Sequence, residues 1–430
     1  VSEKILYINA SNWKEEVLGA NKPVVVDFYS TECPPCEALA AKYESLAEIY
    51  GDDLKFVKIF RQENKPLAES LGVSSSPTVL FFHRGDRVGR TYSGGIRRAE
   101  LERSLHALLD PKRAALLKQR EKKVVTECDV AIIGGGPAGV TAAIYTAQAK
   151  LDTIVIDKGM SGGNVKVTHQ VSNYPGFIEP QSGYMLAHYM AEQARTAGAK
   201  FREASDITAI DLQKKEIVLD GVETIRAKKI IVATGSEPRP LGIAGESEYK
   251  GKGVSYCATC DAKYYEGKHV VIIGGGNTAI EEALFIDKFT KKITVVHQFD
   301  KLQANKTAQE RALANPKIEF LFEHEPREFV PGPMGTVNRV IMEDLKTHEL
   351  KPIDCDGVFV FAGMRPNLDL FKDALELDQW GYVLVDEDMH TKVRDVFAVG
   401  DIVHKKYRQI TTAVSDGTIA AMAAAKELGG

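Results

Sequence analysis

The chain writes one local design twice. CDVAIIGGGPAGVTAAIYTA opens with an apolar strand, turns on glycines and continues into a helix of small residues, and KHVVIIGGGNTAIEEALF repeats that design later. The first glycines of the two turns, Gly134 and Gly274, stand 140 residues apart. A buried strand feeding a glycine turn and then a helix is a Rossmann-type βαβ unit, which aims backbone N–H groups and a helix N-terminus at a pyrophosphate. One such signature could be a glycine-tolerant turn. Two in the same strand-to-helix context predict two dinucleotide sites in one chain.

A chain of 430 residues has room for more than these two units, since domains average about 150 residues. With 44% hydrophobic and 27% charged residues it can build large cores, which excludes wholesale disorder. The formal net charge of −4 gives no electrostatic case for nucleic acid or an anionic membrane as partner. No apolar run approaches the roughly 18 residues of a membrane span, and VSEKILYINAS lacks a secretory apolar core. The expectation is a soluble, cytoplasmic protein.

Ahead of the first glycine turn, KILYI, PVVVDFY, LKFVKIF, TVLFFH and RVGRTY read as strands, and helical stretches follow Asn9–Ser11, Cys33, Pro66 and Arg97. Strands alternating with helices and then two adjacent strands predict a compact α/β unit over residues 1–110. Residues 111–124, with six basic residues and one acid, read as a solvated helical linker.

Six cysteines are too few for a disulfide scaffold, but four of them form Cys-x-x-Cys pairs, Cys33 with Cys36 and Cys257 with Cys260. That spacing points to dithiol chemistry. Cys128 and Cys355 lie alone in strand-like runs and read as buried structural thiols. Four thiolates could also make a zinc site, but zinc would block both pairs, and each pair sits in its own redox-type unit.

The acid that hydrogen-bonds a ribose hydroxyl is expected about 20 residues past the glycines, at the end of the second strand. In the first unit that residue is Asp157, closing DTIVID. In the second unit the same offset falls on His297, closing KITVVH, so the two sites hold their adenosine ends differently.

From about Val124 onward the chain resembles the low-molecular-weight thioredoxin reductases, in GGGPAG, SNYPGF, ATGSEPR, CATCD, GGGNTA, FAGMRPN and a GD followed by YRQ. The resemblance implies an FAD domain in two segments, 125–240 and 355–430, with a nicotinamide domain, 241–354, inserted between them, and a homodimer. It places FAD on Gly134, Gly136, Pro137, Ala138, Gly139 and Asp157, then on Gly162, Gly163, Asn164, Asn173, Thr234 and Gly235, and finally on Gly400, Asp401, Arg408, Gln409 and Ile410. The nicotinamide cofactor falls on Gly274, Gly276, Asn277, Thr278 and Ala279. NADPH-binding members follow the second strand with arginines that pair with the 2′-phosphate. Here the stretch is His297, Gln298, Phe299, Asp300, Lys301, Leu302 and Gln303, without any of them. Each lost charge-assisted hydrogen bond removes about 1.5–3 kcal/mol, so NADH rather than NADPH is the expected donor, although Lys301 and Lys306 offer point charges. An intact GGGNTA argues against a donor other than pyridine nucleotide.

By the same resemblance Cys260 is the flavin-proximal sulfur, Cys257 attacks the incoming disulfide and Asp261 is the acid/base, a helix N-cap being the plain alternative for Asp261. The first 105 residues resemble thioredoxin in PVVVDFYSTECPPC and SSSPTVLFFHRGDRV. Cys33, at a helix N-terminus that stabilises a thiolate, is the expected nucleophile, and Cys36 resolves the mixed disulfide. Asp27 interrupts an apolar strand. Burial there raises its pKa and lets it accept the Cys36 proton, with Lys58 as neighbour, unless the strand is an edge strand with Asp27 facing solvent. Pro77 is the cis-proline that the resemblance places against the dithiol. Glu32, where a tryptophan is usual, and Pro34, where a glycine is usual, alter the partner-facing surface.

The combined expectation is an α/β protein in which a thioredoxin fold precedes two Rossmann-type domains. Electrons would pass from NADH through FAD to Cys257–Cys260, then to Cys33–Cys36 and on to client disulfides. Two rival readings are an NADH-dependent peroxiredoxin reductase and a flavin-linked sensor that recruits partners without turnover.

Overall fold

The computed structural model describes residues 3–168, 171, 173–371 and 373–429; Ser172 of SNYPGF lies outside them. The N-terminal segment forms a five-stranded sheet in the order Ile5–Ile8, Lys55–Phe60, Val24–Tyr29, Thr78–His83, Asp86–Ser93. The first three strands pair in parallel. The last two are antiparallel and turn on Arg84 and Gly85, both at positive φ, the backbone pair that a two-residue hairpin requires. Val24–Tyr29 is therefore a central strand covered on both faces, which is why it reads VVVDFY without polar alternation. Leu39, Tyr43, Leu46 and Tyr50 of the helix Pro34–Tyr50 fill one side of the sheet, and Trp13, Val17 and Ala68 the other.

The basic stretch after this sheet is not a solvated linker. Asp110 caps the helix Pro111–Lys118 by accepting N–H bonds from Lys112 and Arg113. Leu117 of that helix is fully buried in the same core as Tyr43 and Leu105. Arg113, Lys118 and Arg120 of the stretch pair with acids of the N-terminal fold: Arg113 makes a two-pronged pair with Asp53 at 2.9 and 2.8 Å, Lys118 reaches Glu102 at 3.3 Å and Arg120 reaches Asp52 at 3.4 Å. A count of charges suggested exposure, whereas the apolar spacing of Ala114 and Leu117 decides the packing.

A second sheet begins at Val124. Its order is Lys200–Arg202, Thr153–Ile156, Val124–Ile133, Glu223–Val232, Glu216–Leu219, Ile207–Asp211, with Val396–Ala398 also paired to Glu223–Val232. The helices Pro137–Gln148 and Ile410–Leu428 pack together over it, closely enough that a Cβ on Gly417 would strike the Ala138 carbonyl. Both this sheet and the N-terminal one belong to one compact unit, made of Val1–Lys166, Met185–Gly235 and Leu368–Gly430.

The other unit comprises Val167–Tyr184 and Ser236–Asn367. It holds a parallel sheet in the order Val254–Ser255, Gly357–Val360, His269–Ile273, Lys292–His297, Ile318–Phe322, and a three-stranded antiparallel sheet, His324–Pro331, Val337–Asp344 and Leu350–Asp354. Gly357–Val360 lies beyond the boundary expected at residue 354, yet it pairs in parallel with His269–Ile273 and so stays in this unit. The short antiparallel pair Ser236–Pro238 and Met364–Pro366 brings together the places where the chain enters and leaves. Among the described residues no helix is long and apolar enough to cross a membrane.

Truncating Leu117 tests the status of the basic helix. Leu117→Ala should cost the N-terminal fold about 2–4 kcal/mol, read as a lower urea midpoint for its unfolding, because the side chain leaves a core cavity. A linker residue would give no change.

Candidate active site

The parallel register builds the first cradle. Val232 pairs with both Ile133 and Ala398, and Ile133 pairs with Ile156. The next residues, Gly134, Asp157, Ala233 and Val399, thus emerge in one row at the carboxyl edge, where open parallel sheets take their ligands. Gly136 with Pro137, Ala138 and Gly139, the loop of Gly162, Gly163 and Asn164, then Thr234 and Gly235, and finally Gly400 and Asp401 all follow these strand ends. Arg408 and Gln409 lead into the helix that Ile410 begins, and the Arg408 guanidinium lies 3.8 Å over the ring of Tyr382. Asn173 falls in the other unit.

The second cradle repeats this register, with Ile273 paired to Val296 and to Val360, so that Gly274, His297 and Phe361 form the matching row. Gly276 precedes the helix started by Asn277, Thr278 and Ala279. Gly134 at φ 111° and Gly274 at φ 128° occupy backbone conformations that L side chains rarely adopt. A Cβ on either would run into the carbonyl of the facing strand end, at Ala233 or Phe361.

The middle glycines carry the difference between the two sites. A Cβ on Gly135 would meet Ser161 and Asp157, and a Cβ on Gly275 would meet the His297 ring. The residue closing the second strand therefore packs beneath the glycine turn in both units. Asp157 accepts the Gly135 and Gly159 N–H groups, each at 2.7 Å, while burial pushes its carboxyl upward against those bonds. Ser161 Oγ and His297 Nε2 are buried without a hydrogen-bond partner. An unpaired buried polar atom costs about 1–3 kcal/mol, and one beside each glycine turn fits a dinucleotide whose hydroxyl and phosphate oxygens would complete it. His297 is 5% exposed, and burial holds its imidazole below the usual value, so it is neutral at pH 7. Phe299 stands edge-on to it, and Lys301 and Lys306 are exposed.

Within each Cys-x-x-Cys pair the sulfurs are joined as a disulfide, with Cα atoms 5.2 and 5.4 Å apart. Cys33 sits in extended backbone at the N-cap of Pro34–Tyr50 and is partly exposed, whereas Cys36, one turn into the helix, is buried. The Cys33 sulfur lies 3.5 Å from the Ser76 carbonyl, and Ser76–Pro77 is a cis peptide. Ser76 is itself held by hydrogen bonds that Ser30 and Arg61 donate to its hydroxyl at 2.7 and 2.9 Å. In the second unit Cys257 caps the short helix Ala258–Asp261, and Cys260 is exposed. The hydroxyl of Ser255 spans the Cys257 backbone, accepting its N–H at 3.1 Å and donating to its carbonyl at 3.2 Å. Asp261 stands at the N-cap of the turn Ala262–Tyr265, but its side chain makes no capping bond there.

Residues 128–417 match the family described as pyridine nucleotide-disulphide oxidoreductase, and residues 4–107 match the thioredoxin family. The chain belongs to the pyridine nucleotide-disulphide oxidoreductases. A relative named thioredoxin reductase, from Peptoclostridium acidaminophilum, is 44% identical over 69% of this chain and 96% of its own length. A solved thioredoxin reductase from Lactococcus lactis is 37% identical at a TM-score of 0.66, covering 70% of this chain and 98% of that one. One from T. acidophilum, at the same TM-score, is 34% identical, over 71% and 99%. This protein is an FAD-dependent disulfide oxidoreductase of the thioredoxin reductase type that carries a thioredoxin domain in the same chain.

In this oxidoreductase Asp27 lies on the central strand of the thioredoxin domain, not on an edge, and is 1% exposed. Burial raises its carboxyl to about 6, against the opposing pull of Lys58, whose ammonium is 3.6 Å away. One carboxyl oxygen, Oδ1, has no hydrogen-bond partner. Three positions around the sites escaped the sequence reading. Asp416 accepts the Gly400 N–H at 2.8 Å and pairs with Lys405, and Ser255 and Ser76 brace the two dithiols. None stood out in the sequence: Asp416 lies in a helix that also holds Ser415, Thr418, Lys426 and Glu427.

Asp27 binds its proton more tightly folded than unfolded, so its contribution to stability declines as pH rises from 3.8 through about 6 and stays low above that. Asp27→Asn should therefore stabilise the thioredoxin domain at pH 7.5 by about 1–3 kcal/mol in urea unfolding, with the gain shrinking toward pH 4. A gain independent of pH would contradict the assigned titration.

Proposed function

We propose that this chain is a self-contained disulfide reductase, in which NADH reduces FAD, Cys257–Cys260 takes the electron pair, and Cys33–Cys36 delivers it to client protein disulfides. The observation that carries this reading is the coexistence of two Cys-x-x-Cys pairs, one in a complete thioredoxin domain and one in a reductase that aligns with its relatives over nearly their whole length. Bound FAD supplies two-electron exchange between a nicotinamide hydride and a disulfide. It would be held by the residues at the carboxyl edge of the first cradle, and NADH by those of the second.

The chain's own groups then have distinct tasks. Asp261 gives a proton to the thiolate that forms at Cys260 when the Cys257–Cys260 bond opens. Cys257, as thiolate, attacks the partly exposed Cys33 sulfur, and the Cys33–Cys36 bond breaks with the proton for Cys36 coming from Asp27. A carboxyl that titrates near 6 exchanges protons readily around neutral pH. Cys260 next displaces Cys33 from the mixed disulfide, which restores Cys257–Cys260 and leaves a dithiol on the thioredoxin domain. Attack by Cys33 on a client disulfide, resolved by Cys36 as Asp27 takes back a proton, completes the transfer. Covalent attachment supplies the acceptor at roughly millimolar effective concentration.

A neutral, buried His297 followed by Gln298 and Phe299 leaves no guanidinium and no imidazolium for a 2′-phosphate, which supports NADH. Anaerobic titration of the flavin-loaded chain should bleach the flavin absorbance at NADH concentrations about tenfold or more below those needed with NADPH. The reverse order would overturn the donor assignment. For the relay, the free Cys33 thiolate of Cys36→Ser should attack an added client disulfide, releasing one client thiol, and stay joined to the other client sulfur because the resolving thiol is gone. Absence of that mixed disulfide from non-reducing mass spectra would count against transfer through Cys33.

A further inference from the structure

The thioredoxin domain and the flavin-type sheet meet at a polar seat inside one compact unit. From the thioredoxin side come Lys42, on the helix that Cys33 caps, Arg97, at the N-cap of Arg98–Ala107, and Gly95. Opposite them stands the turn from Glu203 to Asp206. The Lys42 ammonium donates to the Glu203 and Ala204 carbonyls at 2.7 and 2.6 Å. Arg97 pairs with Asp206 at 3.3 Å, and Asp206 is locked to Asp220 by N–H bonds in both directions, at 2.9 and 2.8 Å. Ala204 is fully buried at φ 50°, a conformation that a residue with a side chain keeps only when its surroundings hold it.

This seat borders the dithiol. The Ser76 carbonyl lies against the Cys33 sulfur, and the next carbonyl, that of Pro77, accepts the Gly94 N–H at 3.2 Å. The following residue, Gly95, faces Met160 and Ala204 so closely that an added Cβ would be 3.1 Å from Met160 Cγ and 3.7 Å from Ala204 Cβ. A protein joined through a disulfide to Cys33 would meet the Ser76–Pro77 segment first and then the Gly94 backbone hydrogen-bonded to it. We infer that the seated thioredoxin domain and a protein client compete for the Gly94–Gly95 edge, so that release from Lys42 and Arg97 precedes client reduction. The inference rests on the proposed role of Cys33–Cys36 toward clients.

The seat is built to let go. Burial pulls Lys42 down to about 8 although Asp220, Asp206 and Glu203 surround it, so the cost of removing its charge from water outweighs their attraction. Gln119 to Lys123 are the residues between the last thioredoxin helix and the strand Val124–Ile133, and five extended residues span at most about 18 Å. A released domain therefore pivots near the seat.

The test uses the full chain with Cys257→Ser and Cys260→Ser, so that Cys33–Cys36 is the electron-carrying pair. Dithiothreitol reduces it and is then removed. In a single turnover the dithiol passes two electrons and two protons to an insulin disulfide and becomes a disulfide itself. Adding Lys42→Glu and Arg97→Glu should raise amide exchange across residues 203–206 about tenfold, and should raise the insulin rate about threefold or more. Combining Arg97→Glu with Asp206→Arg should return both toward the starting values. Should the charge-reversed chain fail to fold, raising salt from about 0.05 to about 0.5 M on the unreversed chain should produce the same two increases. Unchanged exchange would show that the seat does not form in solution. Faster exchange without a faster insulin rate would overturn the competition. Failure of every form to reduce insulin, with exchange still responding, would instead remove the client role of Cys33–Cys36 and leave the seat as a docking contact.

Discussion

Parallel pairing in a fixed register is the constraint on which both nucleotide cradles rest. Val232 stands beside Ile133 and Ala398, and Ile133 beside Ile156, so segments separated by more than two hundred residues end their strands at the same level. A shift of one residue in any of these ladders would turn every buried side chain of that strand to the opposite face. The burial of Ile133, Ile156, Val232 and Ala398 against a shared core opposes such a shift. The glycine turns follow from the register: where a strand ends directly beside another strand's last carbonyl, there is no room for a side chain, and positive φ redirects the chain into its helix.

The two cradles share a backbone design and differ in the side chain that closes the second strand. Asp157 and His297 both lie beneath a middle glycine, yet the first offers a carboxyl that accepts the Gly135 N–H and the second an imidazole with an unpaired nitrogen. The side chain beneath the glycine turn thus changes while the fold that carries it does not, and the proposed preference for NADH rests on that patch. Asp27 illustrates a related tension inside the thioredoxin domain. A buried carboxyl with one oxygen unpaired weakens the domain near neutral pH, and the same burial lifts its titration to about 6, the range that the proposed proton exchange with Cys36 would use.

The sequence was most informative where chemistry depends on local spacing. Cys-x-x-Cys, a glycine turn between an apolar strand and a helix, and an acid interrupting PVVVDFY are all contained in short windows, and the fold places each on the type of element that its window implies. Features that depend on distant pairing were not legible. The basic residues after Pro111 look solvated until Asp52, Asp53 and Glu102 are seen opposite them, and those acids lie in other elements. Gly357–Val360 reads as one more apolar strand, and only its neighbour His269–Ile273 assigns it to the second unit rather than the first. Ser76, Ser255 and Asp416 are ordinary polar residues in sequence, and act as braces only once the chain has brought a dithiol or a strand end beside them.

Leu117 fixes where the thioredoxin domain stops. Dissection at Asp110, where the alternating pattern of strands and helices runs out, would strip away the side chain that plugs the core beside Leu101 and Leu105. It would also remove Glu121, which meets the buried Arg98 guanidinium at 2.6 Å, leaving a cation in the interior with Glu102 as its remaining carboxylate. An autonomous electron carrier cut from this chain has to keep the basic helix, and grafting the carrier onto another reductase means moving that helix with it.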